Sequence, residues 1–324
     1  MAAAYPYFSP VRIQNDLAQL DAAPRKRWGQ CFLIEPRLIQ TMADRVLAAH
    51  RNSRFNSQAE SGTAAAPILE IGPGLGALTW PLLQAGASVA AIEIDPAMGR
   101  LLSELAGSAR PALSAGGQGA GVGVGDLWLF AGDARDVLEK LRDAPVEFGV
   151  QSASRTIRPE DCEIVCGNLP YYITTDLLVG CMALPAVRAG FFLTQLEFAE
   201  RIVAADARSS LNVYLRNFGE WRQSMRLKAS AFYPRPRVDS AFIEFAAYPE
   251  GPRSDGATLQ KLLRMSFGAR RKKLANSWKQ DRRGLLDYEV LCAAAAKAGV
   301  DSDLRAEAVP VEDYYRLARV LGEI

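Results

Sequence analysis

Asn168-Leu169-Pro170-Tyr171 places a side-chain amide, a carbonyl held in a turn by the following proline, and an aromatic ring within four residues. Together these suit one kind of chemistry. A planar amine on an aromatic ring, such as N6 of adenine, has its lone pair delocalised into the ring. To act as a nucleophile it needs acceptors for both N–H groups while the nitrogen pyramidalises toward a methyl donor. The Asn168 oxygen and the Leu169 carbonyl are two such acceptors, Pro170 enforces the turn, and Tyr171 offers a stacking face. No strong base is required, because the proton leaves after transfer, when the nitrogen is cationic. Taken alone, the tetrapeptide also reads as a strand-ending turn.

The second segment is Glu70-Ile71-Gly72-Pro73-Gly74-Leu75-Gly76, which follows an apolar run and precedes a helical pattern. Glycines in such a turn, Gly72 and Gly74 among them, let a ligand press against main-chain atoms that a Cβ would block. Glu93 closes the next apolar run, where a carboxylate accepts both hydroxyls of an adenosine ribose in dinucleotide enzymes and methyltransferases alike. Asp133 follows the third run and suits either the adenine amine of a cofactor or an ordinary helix N-cap. The glycine turn by itself announces only an adenosine-containing cofactor. With Asn168 at the end of a fourth run, all four features fall at carboxyl ends of parallel strands, where open α/β sheets bind ligands.

The elements that must position these residues follow from hydrophobic periodicity. Strands are expected near 67–72, 88–94, 127–131, 163–167, 189–194, 221–230 and 238–246, the last alternating as an edge or antiparallel strand does. Helices are expected near 36–50, 75–85, 96–106, 174–184 and 195–204. This is the βαβ signature of a Rossmann-like α/β domain with a seven-stranded, mostly parallel sheet. Stretches 52–66, 107–126 and 146–160 read as insertions, the Gly/Ala-rich middle one as a flexible surface loop. Beyond Pro249 the pattern turns helical, near 259–267, 284–298 and 311–321. The expected domains are therefore 1–248, with an N-terminal extension 1–24, and a smaller helical domain 249–324.

Composition narrows the function class. Hydrophobic residues make up 49% of 324 positions, enough for a sizeable core, and no apolar run reaches the roughly 18 residues of a membrane span. Five scattered cysteines form no C-x2-C pair, and His50 is the only histidine. Hydrolytic triads and His-ligated metal centres are thereby disfavoured, no metal is expected, and His50 is expected on the surface at a helix end. The reading is a cytoplasmic, unsecreted monomer with reduced thiols. Residues 1–200 carry 16 Lys and Arg against 21 Asp and Glu, whereas residues 201–324 carry 22 against 15. A basic second part points to a polyanion partner.

Trp28-Gly29-Gln30-Cys31-Phe32-Leu33, the glycine turn, Glu93, Asp133, Asn168 to Tyr172, Phe232 to Ser240, and Arg270 to Ser277 together give a specific signature. In these motifs the chain resembles the small-subunit ribosomal RNA adenine N6-dimethyltransferase family, related to the erythromycin-resistance methylases and the mitochondrial transcription factor B proteins. The resemblance implies a class I methyltransferase fold with S-adenosyl-L-methionine as cofactor. Gln30, Cys31 and Leu33 would approach the methionine end of the cofactor and Gly72, Glu93 and Asp133 the remainder. Asn168 and Tyr171 would hold the adenine, with Phe232 closing its other face. The implied substrate is a pair of adjacent adenosines in the 3′-terminal hairpin of small-subunit rRNA, met in a pre-ribosomal particle. Arg235, Arg237, Arg270, Arg271, Lys272 and Lys273 are candidate phosphate contacts. Cys31 stands where the family usually has Asn, so a side-chain amide contact to the cofactor is lost. Alternatives are a large-subunit rRNA adenine methylase of the resistance type, and an assembly or transcription factor that keeps the fold without essential catalysis. A nicotinamide-dependent oxidoreductase lacks a proton-transfer residue beside the loop.

Overall fold

The apolar runs and amphipathic stretches fold in the order the periodicity implies. The computed structural model describes residues 5–25, 29–53, 66–109, 124–150, 153–204, 209–269, 271–281 and 284–323. The first elements are α1 (Pro10–Gln19), β1 (Phe32–Leu33), α2 (Pro36–Arg51), β2 (Ile68–Ile71), α3 (Thr79–Gln84), β3 (Val89–Glu93), α4 (Pro96–Ala109), β4 (Leu127–Ala131) and α5 (Ala134–Asp143). Next come β5 (Val146–Val150), β6 (Ala153–Ile157), β7 (Ile164–Asn168), α6 (Thr174–Met182), β8 (Ala189–Gln195), α7 (Leu196–Val203) and α8 (Ser210–Arg216). The chain continues through β9 (Gly219–Leu227), β10 (Phe232–Tyr233), β11 (Ser240–Ala247), α9 (Gly256–Ser266), α10 (Leu274–Gln280), α11 (Tyr288–Ala298) and α12 (Val311–Gly322).

Seven strands form one sheet in the order β4-β3-β2-β7-β8-β11-β9, a Rossmann-like arrangement. Pairings β2–β3, β2–β7, β3–β4 and β7–β8 are parallel. Strands β2 and β3 are buried at every position, which explains their continuous apolar runs. Strand order departs from chain order between β2 and β7, and the site lies at that point. The Cα of Gly167 on β7 pairs with Ile71, and a Cβ there would lie 2.3 Å from the Ile71 carbonyl oxygen. Glycine thus sets how closely these two site-bearing strands approach.

Several expectations change. Ser240–Ala247 lies between β8 and β9, not at the edge; its first six residues are buried and β9 takes the edge. Stretch 146–160, read as an insertion with no element assigned, holds β5 and β6 paired as an antiparallel hairpin. Phe148 and Ile157 are fully buried, with the Phe148 ring centroid 5.6 Å from that of Phe130 on β4 and the Arg155 guanidinium 4.6 Å from the Trp128 ring. Within the expected flexible loop 107–126, residues 107–109 continue α4 and 124–126 lead into β4, with Gly125 N donating to the Leu83 carbonyl at 2.9 Å; residues 110–123 lie outside the described residues, as does most of 52–66. His50 is buried, with its ring Nε2 2.9 Å from the Ala66 carbonyl oxygen. It lies in the last turn of α2, but Ala43, Val46 and Leu47 share its face, and the i, i+3, i+4 repeat carries it inward. The N-terminal extension contains α1, whose Ile13 and Leu17 join the core.

The chain divides into two compact units, Met1–Ala199 with Gln223–Glu244, and Glu200–Arg222 with Phe245–Ile324. The second is helical apart from strand ends. In it Tyr315 donates to the Val213 carbonyl at 2.9 Å, so α8 packs with the C-terminal helices. Ser209 caps α8, its hydroxyl oxygen accepting from Asn212 N at 3.2 Å.

Candidate active site

A cavity opens at the carboxyl ends of β2, β3, β4 and β7. Its floor is the glycine turn, with φ of +64° at Gly72, +55° at Gly74 and +82° at Gly76. These are left-handed conformations that L side chains avoid, and they aim the Gly74 N–H at Glu93. Glu93 is 6% exposed. Its Oε2 accepts from Gly74 N at 3.0 Å and its Oε1 from Asp95 N at 2.8 Å. The carboxylate retains acceptor capacity for a ligand's hydroxyls.

Glu70, which the motif reading left without a task, also lines this cavity. It is 2% exposed and accepts from the Thr79 hydroxyl at 2.7 Å. Burial pushes the carboxyls of both Glu70 and Glu93 up to about 7. Two desolvated carboxyls in one cavity suit a ligand that brings positive charge. The signal was legible: a carboxylate inside the apolar run Ile68–Ile71 is rarely left unexplained. Asp133 lines the cavity and is also the N-cap of α5, accepting from Arg135 N at 2.9 Å. The Arg135 guanidinium, 2.6 Å away, holds its carboxyl below the usual range.

The Gln30–Leu33 segment is held from both sides. Gln30 Oε1 accepts from Arg25 N at 2.7 Å and its Nε2 donates to Asp95 Oδ2 at 2.9 Å. Its side chain therefore orients the segment. Strand β1 pairs antiparallel with β10, Phe32 opposite Tyr233 and Leu33 opposite Phe232, and Ile34 N donates to the Ala231 carbonyl at 2.9 Å. Cys31 lines the cavity half-buried, its thiol pushed up by desolvation. The other cysteines are free, with Cys162, Cys166 and Cys181 buried and Cys292 half-buried.

Asn168 ends β7 on the cavity wall. Its Nδ2 donates to the Cys31 carbonyl at 2.9 Å, which leaves Oδ1 as an acceptor. Leu169 N donates to the Leu193 carbonyl at 3.0 Å, and the Pro170 carbonyl accepts from Ile173 N at 3.2 Å and the Thr174 hydroxyl at 3.0 Å. The turn is thus pinned at both ends. The Tyr171 hydroxyl lies 2.8 Å from Ser240 Oγ, and burial raises its pKa. Asp239, beside Ser240, accepts from Ala229 N at 3.0 Å and from Arg226 at 3.0 Å. The Phe232–Ser240 motif therefore clasps the strand that supports Tyr171.

Phe232 is 3% exposed, sits in the core and does not line the cavity. Tyr172 does line it and is 56% exposed; sequence reasoning gave it no role. Arg235 and Arg237 are exposed on the segment leading to Ser240, and Arg271, Lys272 and Lys273 are exposed in the second unit. Lys273 pairs with Asp303 at 3.3 Å. Arg270 lies outside the described residues, as do Lys26, Arg27 and Trp28.

The sequence profile described as Ribosomal RNA adenine dimethylase matches residues 22–111 and 143–323. Ribosomal RNA small subunit methyltransferase A of Novosphingobium aromaticivorans is 36% identical over 264 residues, 78% of this chain and 82% of its own. The protein of that name from Myxococcus xanthus is 30% identical over 303 residues, 92% of this chain and 90% of its own. A solved dimethyladenosine transferase from Plasmodium falciparum shares the fold, with a TM-score of 0.55 at 19% identity over 86% of this chain and 94% of that one. On the matched profile and these relatives, the chain belongs to the ribosomal RNA adenine dimethylase family.

Proposed function

We propose that this chain dimethylates N6 of two adjacent adenosines in the 3′-terminal hairpin of small-subunit rRNA. It does so within a pre-ribosomal particle, as a cytoplasmic monomer acting in ribosome biogenesis. Family membership makes it an S-adenosylmethionine-dependent rRNA adenine dimethyltransferase, and its similarity to small-subunit methyltransferases favours the small subunit. No helix among the described residues is long and apolar enough to cross a membrane.

The observation that carries the proposal is the disposition of Asn168. Its amide nitrogen is spent on the Cys31 carbonyl, so the side chain is oriented in advance with Oδ1 free to accept one amine N–H while the Leu169 carbonyl accepts the other. Tyr171, steadied by Ser240, stacks on the base. Closure of the second face by Phe232 requires that ring to swing from the core position it holds.

When bound, S-adenosylmethionine supplies an electrophilic methyl group on a sulfonium. Glu93 holds the ribose hydroxyls through its remaining lone pairs, the Gly72–Gly74 turn admits the ligand against the main chain, and Asp133 accepts from the adenine amine. Gln30 presents Cys31 and Leu33 to the methionine end. The charge asymmetry supports RNA as the macromolecular partner, with Arg235, Arg237 and Arg270 to Lys273 neutralising phosphates. An unpaired adenine delivered to the pocket provides the selection.

The test is incubation of the purified protein with immature small subunits and labelled S-adenosylmethionine, then digestion and nucleoside identification. Labelled N6,N6-dimethyladenosine from the 3′-terminal hairpin is the expected product. Absence of labelled N6-methylated adenosine overturns the enzymatic reading, and label confined to large-subunit RNA overturns the choice of substrate.

A further inference from the structure

The profile match begins at residue 22, yet a residue well before it reaches the cavity. Tyr5 is 7% exposed, lines the cavity beside Glu70 and Leu75, and donates its phenol to the Leu75 carbonyl at 3.3 Å. That carbonyl belongs to the turn between Gly74 and Gly76. The turn is pinned from within by Gly74 N on Glu93 Oε2 at 3.0 Å and Gly76 N on the Pro73 carbonyl at 2.9 Å. Tyr5 adds a pin from a segment remote in sequence. Burial, reinforced by Tyr7 and Glu70, raises the phenol well above its ordinary pKa, so it remains a donor throughout the working pH range.

The segment bearing Tyr5 is firmly seated. The Tyr5 ring packs edge-on against Tyr7 and Phe8, with centroids 5.7 and 5.0 Å apart. Pro10 starts α1 without loss of a needed N–H, and Ile13 and Leu17, at 0% and 1% exposure, bury its inner face. Gln14 Nε2 reaches the Tyr233 hydroxyl at 2.5 Å, and Tyr233 is the residue opposite Phe32 in the β1–β10 pairing. The segment therefore touches the two structures that bracket the cavity, the glycine turn and the β1–β10 pair.

We propose that residues 5–20 form a strap across the methyl-donor cavity and that Tyr5 is a positioning residue, its phenol holding the Leu75 carbonyl and thereby the turn whose Gly74 N–H orients Glu93. This rests on the cofactor reading given above. Tyr5→Phe removes the pin and keeps the ring; Tyr5→Ala removes both.

Two measurements on the full chain decide the matter. The first is hydrogen exchange of the ligand-free protein: Tyr5→Phe is expected to speed exchange of the amides in 72–78 while leaving β8 and α6 unchanged. The second is calorimetric titration with S-adenosylhomocysteine: Tyr5→Phe is expected to weaken binding about fivefold, the equivalent of one ordinary hydrogen bond, and Tyr5→Ala by more. Saturating the unaltered protein with S-adenosylhomocysteine should also slow exchange across 5–20. Unaltered exchange in 72–78 together with unaltered affinity in Tyr5→Phe overturns the proposal even where Tyr5→Ala fails to fold. If the unaltered protein does not bind S-adenosylhomocysteine, the cofactor reading fails, whereas binding that is indifferent to Tyr5→Phe defeats only the strap.

Discussion

Asn168 spends its amide nitrogen on the Cys31 carbonyl, and in the proposed function its oxygen accepts from the target amine. Asn168→Ala removes the acceptor and also frees the Cys31 carbonyl. A fall in kcat of about 100-fold or more is expected, by comparison with the loss of one preorganised polar contact to a transition state. Steady-state methylation assays check this, and retention of near-native kcat would assign the amine to other groups. Cys31→Asn restores the amide usual in the resembled family at a half-buried cavity position. Calorimetry with S-adenosylhomocysteine should show affinity several-fold higher, worth about 1 kcal/mol. Glu70 and Glu93 give a pH signature. Their folded-state pKa values, about 7, lie above the ordinary 4.5, so the folded chain binds these protons more tightly than the unfolded chain. Their contribution to stability is complete below about pH 4.5 and is lost as pH rises through about 7. The Tm of ligand-free protein should therefore fall between about pH 5 and 8, and Glu70→Gln should flatten that fall. A series of thermal melts tests it, and a Tm rising across this window contradicts it. Of these residues, Asn168 and Glu93 were legible because each ends an apolar run. Glu70 was visible without a task, and the pairing of Asn168 with Cys31 was not legible, since the two are far apart in sequence.

Among the elements, those with long uniform patterns were readable and those built from pairing were not. Strands β2, β3, β7 and β8 are buried through most of their length, so composition alone revealed them. The β5–β6 hairpin escaped because Arg155, opposite Phe148, stands on the inward face where the alternation calls for an apolar residue; its existence depends on Phe148 packing beside β4. Phe148→Ala should destabilise the chain by about 3–5 kcal/mol, seen as a lower midpoint in urea, and a change under 1 kcal/mol would mean the hairpin is dispensable cover. The two-residue strands β1 and β10 have no periodicity to detect, yet they place Cys31 and Leu33 on the cavity. Helix α1 hid in a segment read only as an extension. At Gly167 the constraint comes from the partner strand: a Cβ 2.3 Å from the Ile71 oxygen cannot be accommodated without parting β2 from β7.

For the whole molecule, charge is the property most directly read from composition. The basic excess beyond residue 200 predicts salt-sensitive RNA affinity, and Arg271, Lys272 and Lys273 are exposed to provide it. Replacing those three together with Ala should lower the slope of log affinity against log salt by about 2, at roughly 0.7 per lost contact on single-stranded RNA. Fluorescence anisotropy over a salt series measures that slope, and an unchanged value would assign the phosphate contacts elsewhere. The sequence by itself determined the class of sheet, the glycine turn of an adenosine-type cofactor site, and the placing of Glu93 and Asn168 at strand ends. These are local matters: hydrophobic period, glycine at positive φ, and turn chemistry act over a few residues. Only the tertiary structure decided that β11 is interior, that His50 is buried, that Glu70 shares a cavity with Glu93, and that Tyr5 reaches the glycine turn. Each of these depends on which surfaces meet after the chain closes on itself, and residues distant in sequence carry no local mark of their future neighbours.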